Sequence, residues 1–322
     1  MNAVMIMCHK NIEQVLRLIR TCESPETVVI LHIDKKYDLG KEQLEHIAQM
    51  DRVYLTDDRF SGVLDTRSLV DIAMLMVKKA KEVEKLLGIH FNYYLLLSGQ
   101  DYLIKPISYI NEALRKVYPE PLIDCTPHAT DNWIYHKFRH CPLVYAMSPL
   151  VDGTSGSLIA PVRFCLRVVR RLLSLFVSIF RLTDYHRFQR QGISIYGGSA
   201  WWILPDVAID CILSEYDANP PYVSALLGTN TPEETFFQIM TMRSPVKDLV
   251  HINPTDMVAQ HCKTWAYFSD VDKPFKGHPY IFTVNEYDRL INSDFWIARK
   301  FDTAVDSRIL DMLDSVISAE QP

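Results

Sequence analysis

Through the first third of the chain, short apolar runs alternate with segments of helical period. Ala3-Val4-Met5-Ile6-Met7 is apolar throughout, as a strand buried on both faces must be. Asn11–Arg20 places Ile12, Val15, Leu16 and Ile19 at the spacing of one helix face. Val28–Ile33 predicts a second strand, Gln43–Met50 a helix and Val53–Leu55 a third strand. Leu69–Leu87 predicts a long helix with Lys78, Lys79, Lys81 and Lys85 on its outer side, and Phe91–Leu97 a fourth strand. This βα alternation predicts an α/β fold with a mixed, mostly parallel sheet and flanking helices. Ligands on such sheets bind outside the carboxyl ends of the strands, where His9, Asp34 and Asp101 fall.

The middle of the chain reads differently. Residues 119–160 are loop-like, with several prolines, and Arg163–Arg190 reads as one basic amphipathic helix. Strand character returns at Gly197–Leu204, followed by a helix from about Pro205 to Tyr216. Thr231–Met242 predicts a helix whose Thr231-Pro232-Glu233-Glu234 start supplies a capping hydroxyl, a proline at the first position and an early acid. Trp265–Phe268 and Tyr280–Thr283 predict short strands, and Glu286–Ile291 and Ser307–Ile317 helices. There is neither an internal repeat nor a clear linker, so a single domain over 1–322 is expected.

The 322 residues carry 48% hydrophobic and 23% charged side chains, values of a globular protein rather than a disordered one. A net charge of −5 argues against a general nucleic-acid binder. Seven cysteines without a CxxC pair suggest reduced thiols rather than a zinc site or a disulfide framework. The opening MNAVMIMCHKNIEQV lacks a basic n-region and a cleavage site, so it reads as a strand, not a signal peptide. Residues 161–182 approach membrane length, but four arginines interrupt them inside Arg167–Arg181, each costing roughly 2.5–3.5 kcal/mol at a bilayer centre.

Four constellations could carry chemistry. His32-Ile33-Asp34-Lys35-Lys36 places a carboxylate where a base or ribose could donate to it; alone, such a tripeptide is more often a solvated turn with an Asp cap. Leu97-Ser98-Gly99-Gln100-Asp101 is either a strand-end site or a turn closed by an Asx-type bond. Glu233 and Glu234 either gain from a helix macrodipole or place a general base in a cleft. Ala298-Arg299-Lys300-Phe301 is either a diphosphate site or a helix end whose cations complement the dipole. No Asp-x-Asp metal motif follows the apolar strand ending at Leu97, and no Walker motif, GxGxxG or GxSxG elbow appears. His128, His136 and His140, with Cys125 and Cys141, lack metal-ligand spacing.

Taken in order, MCHKNIEQVLRLIR, LHIDKK, YYLLLSGQDYLIKP, YGGSAWWIL, TPEETFFQIM, KTWAYF and FWIARKFD resemble the core-2/I-branching β-1,6-N-acetylglucosaminyltransferase family, which includes peptide O-xylosyltransferases. The resemblance runs from Met5 to Asp302 and looks like that of a bacterial member without a membrane anchor. It implies a GT-A-like fold and an inverting, metal-independent transfer from a UDP-sugar to a glycan hydroxyl. Residues 1–118 would be the nucleotide-binding half. Residues 119–322 would be the acceptor and catalytic half, with a basic amphipathic insert at 161–190.

By the same resemblance, Glu234 is the general base, and Lys300 with Arg299 stabilises the leaving UDP. Asp34 contacts uridine, with His9 beside it. Trp265 and Tyr267 contact the acceptor sugar, Glu233 is the acid before the base, and Asp101 and Ser199 lie in matching motifs. Arg139, with His136 and Lys137, is a candidate on the acceptor loop. The matching pattern has a second diphosphate Arg near Gly277, where only Lys276 and His278 stand, and a donor-side Tyr where Leu64 stands. The donor is therefore GlcNAc or, alternatively, xylose. Other readings are a non-catalytic sugar-binding protein and a membrane-associated protein on this scaffold. No cofactor or metal is expected. The expected location is the cytoplasm, with peripheral attachment to the inner face of the plasma membrane if 161–190 lies on anionic lipid. A lipid-linked glycan acceptor would suit that attachment, and the competing role for the segment is packing on the core.

Overall fold

The apolar strands of the first third are buried on both faces. A computed structural model of the chain describes residues 1–127, 160–180, 184–253, 261–267 and 279–319. Strands β1 (Asn2–Cys8), β2 (Thr27–Ile33), β3 (Val53–Leu55) and β4 (Tyr93–Ser98) run parallel, in the order β3-β2-β1-β4. β9 (Trp202–Pro205) joins β4 antiparallel, and β6 (Leu122–Ile123) pairs with β9 to complete a six-stranded mixed sheet. The fold is α/β with flanking helices, consistent with a GT-A-like arrangement.

Alternate strand residues feed two cores. Ala3, Met5, Val28, Ile30, Tyr94 and Leu96 pack on one face with Ala73, Met76 and Val77 of α3 (Arg67–Leu87) and Ile209 and Ile212 of α7 (Asp206–Ala218). Val4, Ile6, Val29, Leu31, Leu95 and Leu97 pack on the other with Val15 and Leu18 of α1 (Ile12–Thr21) and Leu310 and Leu313 of α11 (Arg308–Ala319). Helix α1 covers one face and α3 the other, so the winding direction reverses between β1 and β4. In sheets of this kind ligands usually bind at such a reversal, outside the carboxyl ends of the strands.

Several expectations are corrected. The helix expected over Thr231–Met242 is a 3-10 turn, Pro232–Glu234, followed by α9 (Phe236–Thr241). Thr231 adopts a left-handed φ of 50°, and its buried hydroxyl makes no hydrogen bond, so it is not the cap its position suggests. Residues 298–300 are not a helix end. β11 (Ile297–Arg299) is a strand between β10 (Thr264–Ala266) and β5 (Asp101–Leu103) in a second sheet. Tyr280–Thr283 is not a named strand, although Tyr280 and Phe282 bond the backbone of Tyr267 and Lys300. The single basic helix expected over 163–190 is described as α5 (Ala160–Ile179) and α6 (Asp184–Arg190). The pattern gave no sign of α4 (Ile107–Val117) or α8 (Pro221–Leu227). No helix among the described residues is long and apolar enough to cross a membrane.

Candidate active site

Most of the functional residues named from the sequence, where described, are linked by a run of contacts, several of them through the backbone, beside the carboxyl ends of β2 and β4. The run starts at Asp34, directly after β2, which is buried. Its carboxylate accepts hydrogen bonds from the Lys36 amide at 2.8 Å and the Gly62 amide at 2.7 Å. The turn with an Asp cap expected there exists; Lys35 and Lys36 are exposed, but the capping aspartate is buried. Arg59 donates to the carbonyls of Ile33, Asp34 and Tyr37 and fastens the 59–62 segment over the strand end. His32 accepts from the Phe60 amide, and burial lowers its pKa to about 4, so it is a neutral structural residue.

That segment leads to the two glutamates. The Asp65 amide donates to Glu233 Oε1 at 3.0 Å, while Glu233 Oε2 is buried without a partner. Burial pushes the Glu233 carboxyl up to about 7, and the neighbouring charge of Glu234 adds to the rise. Glu234 is half-buried, and its carbonyl accepts from the Gly198 amide at 2.9 Å.

From Gly198 the chain runs through Ser199 to Trp201. The Ser199 carbonyl accepts from Gln238 Nε2 at 2.7 Å, and the Ser199 hydroxyl accepts from the Trp201 amide. The Trp201 ring stacks on the Arg299 guanidinium at 3.9 Å. Arg299 is buried, with Nη1 3.4 Å from Asp101 Oδ1. Asp101, fully buried, also accepts from the Ser98 amide and hydroxyl at 2.8 and 2.9 Å. Burial pushes the Asp101 carboxyl up and the Arg299 guanidinium down, and their mutual attraction opposes both shifts. Two residues expected at the donor therefore neutralise each other inside the wall of the site.

Lys300 follows Arg299 and is half-buried. Among the described residues no carboxylate pairs with its ammonium. Burial lowers its pKa, and the Arg299 cation lowers it further. His9 directly follows β1. Partial desolvation lowers its pKa, as do Lys10, Lys300 and Arg299, while Asp34 opposes. These contacts thus link a carboxylate pair to the strand leading to a lysine without a carboxylate partner among the described residues.

Trp265 and Tyr267 lie beside this wall, since Trp265 pairs with Ala298 across β10 and β11. They enter an aromatic cluster: Trp265 stacks on Phe295 at 5.6 Å, and Tyr267, only 3% exposed, stacks on Phe282 at 5.3 Å. Arg289 lies over both rings, at 4.9 and 5.4 Å. Tyr267 is therefore largely a core residue. Arg139, His136, Lys137, Lys276 and His278 lie outside the described residues. Among the described residues no group of three His, Cys, Asp or Glu side chains is placed to hold a metal ion.

Three contributors are not among the residues singled out from the sequence. Gln14, buried on α1, donates to the carbonyls of Gly99 and Phe301 at 3.0 and 3.1 Å and accepts from the Thr303 amide. It ties the β4 turn to the segment carrying Lys300. Arg59 and Trp201 complete the set. The glycine at 198 is dictated by space, because a Cβ there would lie 1.9 Å from the Asp124 carbonyl oxygen. Gly198→Ala must push the backbones apart, with an expected loss of about 1–3 kcal/mol in urea unfolding. Wild-type stability in that variant would show that the close approach is not required.

The chain matches no protein-family model and no curated protein.

Proposed function

We propose that this chain is an inverting glycosyltransferase that moves a sugar, GlcNAc in the first instance, from a UDP-sugar to a hydroxyl of a glycan acceptor. One observation carries the reading: a run of contacts from Asp34 through Glu233, Glu234 and Trp201 to Arg299 links a carboxylate pair to the strand that leads to Lys300, a half-buried cation that no carboxylate pairs among the described residues. The ordered motifs that resemble the branching enzymes support it, as does the reversal of winding at β1 and β4.

In this mechanism Glu234 accepts the proton of the acceptor hydroxyl. The oxygen forms its bond to the anomeric carbon as the bond to the diphosphate oxygen breaks on the opposite face. The electron pair leaves with UDP, whose developing charge Lys300 meets. Asp34 and His9 lie on the uridine side. Arg299, committed to Asp101 and Trp201, acts by fixing the strand that carries Lys300 rather than by touching the diphosphate.

The deciding experiment is a screen of UDP-GlcNAc, UDP-xylose and other UDP-sugars for UDP release, with and without added divalent ion and glycan acceptors. Release from one donor supports the transfer reading, and binding without release would replace it with a sugar-nucleotide binding protein. Lys300→Met is the accompanying variant. Losing a charge-assisted contact to the leaving group costs about 1.5–3 kcal/mol, so turnover should fall roughly 10- to 150-fold. Stability should hold, since burial already opposes the charge. Unchanged turnover would remove Lys300 from the mechanism.

A further inference from the structure

Helix α5 turns its apolar side outward. Val162, Val168, Val169, Leu172, Leu175 and Phe176, with Phe180 just beyond, are between 39% and 61% exposed. At 100° per residue these positions share one side of the helix. The Phe180 amide bonds the Phe176 carbonyl, and the two rings lie 4.5 Å apart, so the stripe extends through that turn. By the same spacing positions 163, 167 and 170, all arginines, fall on the opposite side, and Arg171 stands exposed at the margin. Residues 160–183 contain five arginines and no acid. A helix covering a core would bury this stripe.

We infer that α5 is an interfacial helix that docks the protein on an anionic lipid bilayer, its apolar stripe among the acyl chains and its arginines at the headgroups. The helix cannot span, because no described helix is long and apolar enough to do so, but it has the composition of one that lies in the membrane plane. Charge complementarity selects lipid over a second copy of the chain. A second copy pressed on the stripe would leave both helices' arginines, four in each α5 with no acid among them, without counter-charge, whereas an anionic leaflet takes up the stripe and neutralises the arginines together. The remainder of the chain is more acidic than the net −5, because 161–190 holds seven arginines against one acid, Asp184. An anionic surface would repel that remainder and so orient the molecule helix-first. This inference stands apart from glycosyl transfer, and either can fail alone.

The test is co-sedimentation of the full chain with large unilamellar vesicles. Vesicles of phosphatidylglycerol and phosphatidylcholine are compared with phosphatidylcholine alone, at low and high salt. Binding is expected on the anionic vesicles, weakened by salt, and at least roughly tenfold weaker in Leu172→Glu/Phe176→Glu. Circular dichroism and the urea-unfolding midpoint report that the variant keeps its fold. Arg171→Glu serves as a second variant that leaves the stripe intact and should also weaken binding. No binding to anionic vesicles, equal binding to neutral ones, equal binding by the variants, or a dimer in light scattering that the stripe variant abolishes would each overturn the inference.

Discussion

Glu234→Gln is expected to lower turnover by about 10²–10⁴-fold while UDP-sugar binding persists. The substitution keeps the shape of the side chain and both backbone contacts, from the Glu234 amide to the Thr231 carbonyl and from the Gly198 amide to the Glu234 carbonyl. What it removes is the ability to accept a proton. If Glu234 takes the proton of the acceptor hydroxyl, the loss falls on kcat with acceptor present. Donor affinity, measured by calorimetry with UDP-sugar alone, stays near that of the wild type. Near-wild-type turnover would take the base role from Glu234. A loss matched by lost donor binding would point to a collapsed site instead, which Gly198→Ala would mimic through the same backbone bond.

The parallel half of the fold is legible in the sequence because strands buried on both faces leave unbroken apolar runs, and because the chain ends of such strands have a fixed position. His9, Asp34 and Asp101 could be placed at one edge for that reason alone. The second sheet leaves no such trace. Its strands β5, β10 and β11 are three residues each, and Ala298-Arg299-Lys300 carries no alternation long enough to separate a strand from a helix end. Arg299 illustrates the limit. A cation among aromatics suits a diphosphate, yet the strand pairing of Arg299 with Asp101 turns it inward. Thr231-Pro232-Glu233-Glu234 has the local marks of a helix start, but tertiary contacts override them. Glu233 is held by the amide of Asp65, and Gly198 holds the Glu234 carbonyl. Those partners are remote in sequence, so no local window contains the reason for the left-handed Thr231.

Glu233 makes the stability of this protein depend on pH in a direction opposite to that of a salt-bridged acid. Its carboxyl is raised from 4.5 to about 7, first by burial and then by Glu234 and Asp65. Between those values the folded chain holds a proton that the unfolded chain has released, so stability falls as pH rises from 4.5 to about 7 and levels off above it. A rise of that size corresponds to a penalty of about 3 kcal/mol at alkaline pH. Glu233→Gln removes the ionisation while its amide oxygen can still accept from Asp65. Its NH2 group takes the place of the buried, unpartnered Oε2, which costs about 1–3 kcal/mol at every pH. The variant should therefore be the less stable protein at pH 4.5 and match or exceed the wild type at pH 8. In urea unfolding the difference between the two should move by about 3 kcal/mol in the variant's favour across that window. Parallel pH profiles would mean that Glu233 is ionised in the folded state at neutral pH. The carboxylate pair would then carry two negative charges, and Glu233 would no longer be the proton-holding neighbour that leaves Glu234 free to act alone as the base.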